Sequence, residues 1–488
     1  METILINLEQ ALWGWPLLIL LIGAGLWLLI RLRFLPLRKL PLGLQLTFRR
    51  RGGGGDGVSP FAALCTSLSA TIGTGNIVGV AGALSLGGPG ALLWMQLSAL
   101  TGLSLKYAEG VLAVRYRRRD GAGRPYGGPF AYIRLGLGSW AAPLAVCFSL
   151  FGAAAGLCGV GTFVQIGSVS ACLSELIQRA TGGLTLIRLP WGGTAPLAGT
   201  AMGLVLALLA LWVMLGVMGR VSRFSAILVP AMGGLYVLCC LWILLRFRTA
   251  LPAAAERILR TAFRPEGVAG GLLGTAMAGV SRGVFSNEAG LGTAPIAAAA
   301  AEGVSPREQG LISMTATVFD TLVICTLTGF VILVTGSESA GIAAAMSAFS
   351  KGLPFPELFS RGLVCAILTL FAFTTVTGWS CFGTACLDDL TGGLPGLRKL
   401  YLSLYAATAA LAPLCSARGV WAAANLCNGL MAIPNVIALL LLSGKLRDPG
   451  RRPRISGRQA AGSGMKSLRS GEQTVRSGTK NVRFRMHS

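Results

Sequence analysis

One histidine stands in the whole chain, and it is His487, next to the last position. Without an internal imidazole there is no Ser-His or Cys-His nucleophile pair and no His ligand for a metal, so neither that catalysis nor a transition-metal site is expected. Charge is scarce as well: charged residues make up 12% of the sequence against 53% hydrophobic ones. A mean hydropathy of +0.68 over 488 residues describes an all-α polytopic membrane protein rather than a large soluble core. The 12 cysteines are scattered through apolar stretches without metal-ligand spacing and read as small buried hydrophobes, not as a disulfide framework. Acids number only 18 against 42 Lys and Arg, a net charge of +24. Those cations fall between apolar spans and near the C-terminus, as loop asymmetry places them in membrane proteins, so nucleic acid is not an expected partner and the lipid bilayer is.

Glycine, by contrast, is abundant, and it clusters where a membrane helix tolerates it least. Residues 70–81 read Ala-Thr-Ile-Gly-Thr-Gly-Asn-Ile-Val-Gly-Val-Ala inside the apolar run 60–86. Gly73, Gly75 and Gly79 each weaken a helix by about 1 kcal/mol relative to Ala, and Thr71, Thr74 and Asn76 add polar groups at depth. Either half of the run is too short, at ~1.5 Å per residue, to cross ~30 Å of hydrocarbon. A broken helix is expected, and backbone exposed at that depth must line a cavity for something polar. The alternative is a continuous helix whose glycines only permit close packing. Residues 281–292, Ser-Arg-Gly-Val-Phe-Ser-Asn-Glu-Ala-Gly-Leu-Gly, repeat the pattern in the second half.

Apolar spans run over 12–30, 60–86, 91–114, 140–176, 194–218, 225–245, 267–301, 309–335, 357–390, 399–414 and 420–442, about eleven in all. The first is too long and too poorly preceded by charge for a cleaved signal peptide. Basic loops at 31–51 and 115–119 belong in the cytoplasm and the turn Gly87-Gly88-Pro89-Gly90 outside, which puts the N-terminus outside and the C-terminus inside. The Arg-bearing loop 246–266 runs against that rule. Setting the first span aside leaves five and five, the first of each set broken. Because five is odd, the second set enters from the opposite side, an inverted repeat with the site between its breaks. The expected segments are 1–57, a membrane helix and basic loop; 58–250 and 251–446, the two five-helix halves; and 447–488, a basic disordered tail.

Several longer motifs occur in order: Ser59-Pro60-Phe61-Ala62-Ala63-Leu64, Gly73-Thr74-Gly75-Asn76-Ile77-Val78-Gly79, Gly87-Gly88-Pro89-Gly90-Ala91, Lys106-Tyr107-Ala108-Glu109, Gly127-Gly128-Pro129-Phe130, Arg282-Gly283-Val284-Phe285-Ser286-Asn287-Glu288-Ala289-Gly290 and Asp320-Thr321-Leu322-Val323-Ile324-Cys325-Thr326. With them, the chain from about Ser59 to Lys445 resembles the alanine or glycine:cation symporter family. The resemblance implies a leucine-transporter-like fold in the inner cell membrane that couples uptake of a small neutral amino acid to sodium. It implies no cofactor beyond the co-transported ion and no obligate protein partner. One departure stands out: where the family commonly has aromatic residues and then Gly-Glu-Lys-Cys after Trp379, this chain has Ser380-Cys381-Phe382-Gly383-Thr384-Ala385-Cys386, without that acid-base pair.

Roles follow from chemistry and from the resemblance together. A zwitterion's carboxylate needs donors in a dry site, which backbone at Thr74, Gly75 and Asn76 would supply at a half-helix start. Unwound carbonyls and side-chain oxygens at Phe285, Ser286 and Asn287 would face the ammonium. Gln165 and Trp379 resemble cavity-lining positions; the plainer reading is an interhelical hydrogen bond and a packing Trp. Asp320, deep in its span, calls for sodium, directly or through Asn76, or else a pair with Arg282 or a helix hydroxyl. Glu288 is expected to accept hydrogen bonds from Ser or backbone N–H groups. Lys106 with Glu109, and Asp388 with Asp389, are expected near cytoplasmic ends as solvated or gate-pairing charges. Thr374 and Thr375 resemble a family Ser/Thr pair before the same Trp and, with carbonyls near Ser69 and Ile72, would cage sodium; the alternative is that both hydroxyls bond back one turn. The rival functions are a proton-coupled carrier of the same fold, an ion channel, which needs a continuous pore, and a membrane enzyme, for which no nucleophile-base constellation exists.

Overall fold

The computed structural model describes residues 2–49, 58–120, 123–189, 193–214, 217–263, 271–337, 339, 341–415 and 417–446. The basic tail from Arg447 onward, the glycine run 52–55 and the start of the expected span at Gly267 lie outside those residues.

The N-terminal apolar stretch forms α1 (Glu2–Trp13) and α2 (Trp15–Arg31), so helix begins well before the expected Leu12 and is interrupted at Gly14, ahead of Pro16. Two short helices, α3 (Leu35–Arg38) and α4 (Leu40–Phe48), occupy the basic loop. The broken element follows as α5 (Pro60–Thr71), a 3-10 turn (Thr74–Asn76) and α6 (Val78–Gly87), with a 64° bend between the halves. Next come α7 (Ala91–Arg115), a β1 (Arg118–Arg119) and β2 (Pro125–Tyr126) hairpin, α8 (Pro129–Leu137), α9 (Ala142–Cys158) and α10 (Phe163–Thr181). A second hairpin, β3 (Leu186–Arg188) and β4 (Thr194–Pro196), leads to α11 (Leu197–Met214), α12 (Val217–Arg246) and α13 (Leu251–Ala262). The remainder is α14 (Gly271–Asn287), α15 (Ala294–Ala299), α16 (Pro306–Thr317), a π-helical stretch (Val318–Cys325), α17 (Thr326–Val334), α18 (Ile342–Gly352), α19 (Glu357–Thr391), α20 (Pro395–Leu411) and α21 (Ala417–Leu441).

Among the described residues seven helical stretches are long and apolar enough to cross a bilayer, or eight with the bent pair α5–α6 taken as one. Three of the expected spans fall short of that measure: α7 carries buried polar groups, α14 is interrupted before α15, and α20 is only 17 residues long. The expected span 140–176 is two helices, parted at 159–162. The Arg-rich loop is helix α13, whose Ala254, Ile258 and Ala262 pack inward while Trp94 Nε1 donates to Ala262 O at 2.8 Å. The helix is amphipathic, with Arg257 and Arg260 on its exposed face.

Close backbone approach holds the bundle together. A Cβ on Gly279 of α14 would meet Ala91 O at 2.2 Å, and one on Gly110 of α7 would meet Ser313 Oγ of α16 at 2.5 Å. Small residues at helix contacts replace the hydrophobic driving force that lipid does not provide. The N-terminal helices join the same body: Ser104 Oγ of α7 donates to Gly25 O at 2.6 Å, and Trp13 Nε1 donates to Asn425 O at 2.6 Å.

Candidate functional site

Helix α5 starts on a Ser59 cap whose Oγ accepts from Ala62 N–H, and it ends at Ile72, whose N–H still reaches Leu68 O at 2.7 Å. Gly73 then runs extended, and a Cβ there would lie 2.7 Å from Thr375 Oγ1 and 3.0 Å from Gln165 Oε1, so a larger residue would displace those side chains. The loosened backbone is held by side chains. Gly73 N–H donates to Asn76 Oδ1 at 2.9 Å, and Thr74 N–H donates to Gln165 Oε1 at 3.2 Å. Gln165 Nε2 in turn donates to Val160 O at 3.2 Å, in the gap between α9 and α10, so one amide ties two interruptions together. Gln165 thus makes an interhelical hydrogen bond, and it makes it at the break. Thr74 Oγ1 is buried without a hydrogen-bond partner among the described residues. Gly75 is half-buried, facing the Phe285 ring, which a Cβ would meet at 3.6 Å.

The second break lies later than the sequence indicates. Phe285, Ser286 and Asn287 are still in α14, and the unwound stretch begins at Glu288, with φ of +51°, +86° and +90° at Glu288, Gly290 and Gly292. Asn287 explains the shift: its Oδ1 accepts from Ala289 N–H at 2.9 Å and its Nδ2 donates to Thr321 Oγ1 at 3.2 Å, closing the helix one turn beyond the expected point. Ser286 and Asn287 thus present side chains from a helix rather than free carbonyls.

Asn76 joins the two breaks. Its Nδ2 donates to Asp320 Oδ1 at 2.7 Å and lies 3.1 Å from Ser286 Oγ, while Ser286 Oγ and Thr321 Oγ1 donate to Asp320 Oδ2 at 2.8 and 2.7 Å. Asp320 is fully buried on the π-helical stretch, a distortion that sequence periodicity does not reveal. This acid is thus contacted by the Asn76 amide and by two hydroxyl donors.

Glu288 takes Thr293 Oγ1 at 2.5 Å on one oxygen and Trp379 Nε1 at 3.1 Å on the other, rather than the expected Ser or backbone donors. Trp379 is fully buried and ties the second break to α19. Thr375 Oγ1 lies 3.0 Å from Phe371 O, one turn back, and 3.5 Å from Ile72 O across the first break. Thr374 points elsewhere: its hydroxyl bonds Phe371 O at 2.9 Å and sits 3.5 Å from Met232 Sδ of α12. Ser69 Oγ donates to Thr66 O at 2.8 Å, and Gly378 packs so closely on it that a Cβ would lie 2.6 Å away. Thr375 thus meets Ile72 across the first break, Ser69 packs on Gly378 one turn further along α19, and Thr374 is turned away.

Lys106 and Glu109 depart most from expectation. Neither is solvated; both are 0% exposed. Glu109 Oε1 accepts from Gly292 N–H at 3.1 Å and from Asn435 Nδ2 at 2.8 Å, Asn435 also donates to Gly290 O at 2.8 Å, and Tyr132 OH donates to Asn435 Oδ1. This clamp on the second break was missed, although Asn435 follows Pro434 inside an apolar run and could have signalled it. Asp389 does pair, with Arg134 and with Ser149 Oγ at 2.8 Å, and Asp388 lies 3.9 Å from Arg398. The segment that departs from the family pattern after Trp379 packs tightly: a Cβ on Gly383 would fall 2.0 Å from Tyr401 OH, and Cys386 abuts Gly152.

Residues 1–449 match the family model described as "Sodium:alanine symporter family", which takes in the N-terminal helices as well as the core. The chain is similar to the Sodium/alanine symporter AgcS of Methanococcus maripaludis, 41% identical over 90% of this chain and 94% of that protein. It is also similar to the Probable sodium/glutamine symporter GlnT of Bacillus subtilis, 34% identical over 89% and 87%. Among solved structures, the crystal structure of MhsT in complex with L-phenylalanine superposes with a TM-score of 0.53 at 14% identity, covering 78% of this chain and 88% of that one, a likeness of fold. The chain belongs to the sodium:alanine symporter family, and it is a transporter rather than an enzyme.

Proposed function

We propose that this protein carries small neutral amino acids, alanine and glycine, across the cell membrane together with sodium, by alternating access. The observation that supports this most is the Asn76 side chain, which links the first break to Asp320 and Ser286, two residues from a buried Thr74 hydroxyl without a hydrogen-bond partner among the described residues. Thr74, Gly75 and Asn76 receive the carboxylate, and Ser286 and Asn287 offer side-chain oxygens toward the ammonium. Phe285 and Trp379 bound the space, and Gln165 holds the break open in the required shape. Sodium is carried as cargo on Ile72, Ser69 and Thr375, with Asp320 and Asn76 as the second ion-responsive pair. Thr374, which faces Met232, is left out of that site.

The same reading assigns eleven spans, with halves 58–250 and 251–446 related by inversion, the N-terminus outside and the C-terminus in the cytoplasm. It places the protein in the inner membrane, with no partner chain needed for transport.

Size selectivity tests the substrate assignment. Phe285 lies directly over Gly75, so glycine and serine are expected to displace labelled alanine from detergent-solubilised protein in sodium buffer, and leucine and phenylalanine at least about tenfold more weakly. Equal displacement by leucine contradicts it. Replacing sodium with choline at fixed pH separates sodium coupling from proton coupling, since only the former loses alanine binding.

A further inference from the structure

Lys106 and Glu109 stand one turn apart on α7, without exposed surface. At ~1.5 Å per residue Lys106 is ~22 Å from the start of that helix and ~14 Å from its end, where a bilayer tolerates charge least. Glu109 Oε1 is engaged by Gly292 and Asn435. Its second oxygen and the Lys106 ammonium have no hydrogen-bond partner among the described residues. Two opposite charges left without hydrogen-bond partners one turn apart on a buried helix face are costly. A bare cation is repelled by the ammonium and an anion by the carboxylate; water satisfies both.

Glu109 reaches the second break through Gly292 N–H, Glu288 lies in that break and Asp320 accepts from Ser286 Oγ just before it, so three buried acids and the buried Lys106 share one region of the bundle. With all four ionised, Lys106 and the three acids sum to two negative charges.

We propose that Lys106 is a tethered counter-cation, bridged by buried water to Glu109 Oε2, that offsets one acid of this cluster and so sets how many mobile cations the transport core must bind. The inference rests on the sodium-coupled reading above, but its test does not depend on transport alone. Lys106→Met removes the ammonium and keeps the apolar stem. Its alanine uptake is expected to rise more steeply with sodium, by about one further cation per cycle, and its melting temperature in detergent to respond more strongly to sodium than that of the unmodified protein.

The double variant Lys106→Met with Glu109→Gln restores the original charge sum and retains an acceptor for Gly292 N–H. Both sodium responses are expected to return toward those of the unmodified protein, which a packing role for Lys106 would not produce. If Lys106→Met alone cannot be recovered folded, the double variant is expected to be recovered. An unchanged sodium response in folded Lys106→Met overturns the proposal, as does a double variant no better than the single one. Loss of all alanine uptake in the unmodified protein would instead overturn the transport reading, with the melting-temperature comparison still deciding the role of Lys106.

Discussion

Asn76→Ala is expected to abolish sodium-dependent alanine uptake while the protein still inserts and folds. The carboxamide touches both interrupted helices and the buried acid: it accepts from Gly73 N–H and donates to Asp320 Oδ1 within hydrogen-bond distance of Ser286 Oγ. Its removal leaves a buried N–H and a buried carboxylate oxygen without partners, each costing about 1–3 kcal/mol. If about 3 kcal/mol of this falls on the state that binds substrate, uptake drops about a hundredfold or more. Asn76→Asp should do no better, because it retains an acceptor for Gly73 but sets a second carboxylate against Asp320. Uptake by Asn76→Ala within a few fold of the unmodified protein would remove this residue from the site.

Thr375→Val and Thr374→Val are expected to behave differently, although the two residues are neighbours. Thr375 reaches Ile72 O across the first break, whereas Thr374 faces Met232. Valine preserves shape and deletes the oxygen. The sodium concentration for half-maximal alanine binding should rise at least about tenfold in Thr375→Val, the loss of one good oxygen ligand from a hard-cation site, and change little in Thr374→Val. Sodium held between α5 and α19 favours the arrangement in which substrate binds, so by linkage alanine must raise sodium affinity by the same factor that sodium raises alanine affinity, typically about 1–3 kcal/mol. Equal behaviour of the two variants would show that both hydroxyls only bond back to Phe371 O, as each also does here.

The first break was legible because three glycines and three polar residues within one apolar run conflict with a continuous helix, and that conflict is local. The second was legible in kind but not in position, since Asn287, which closes α14 on Ala289 N–H, is oriented by Thr321, far along the chain. The interruption at 159–162 has glycines too, yet its cause is tertiary: Tyr405 OH donates to Gly161 O at 2.8 Å and Gln165 caps Val160 O. Lys106 and Glu109 were misplaced for a related reason. Hydropathy reads a Lys and a Glu near a helix end as solvated, while burial depends on what α8, α15 and α21 bring to that face. The resemblance that named the family carried the functional roles; the spacing of residues alone gave a broken helix and a polar cavity.

The central claim is that an inward sodium gradient drives amino acid accumulation, and proteoliposomes loaded with potassium buffer test it most directly. With sodium outside, labelled alanine should accumulate above its external concentration. An inside-negative potential should increase that accumulation, since ~100 mV contributes roughly 2.3 kcal/mol per sodium ion moved. Alanine that only equilibrates, at the same rate with choline as with sodium outside, would contradict the account.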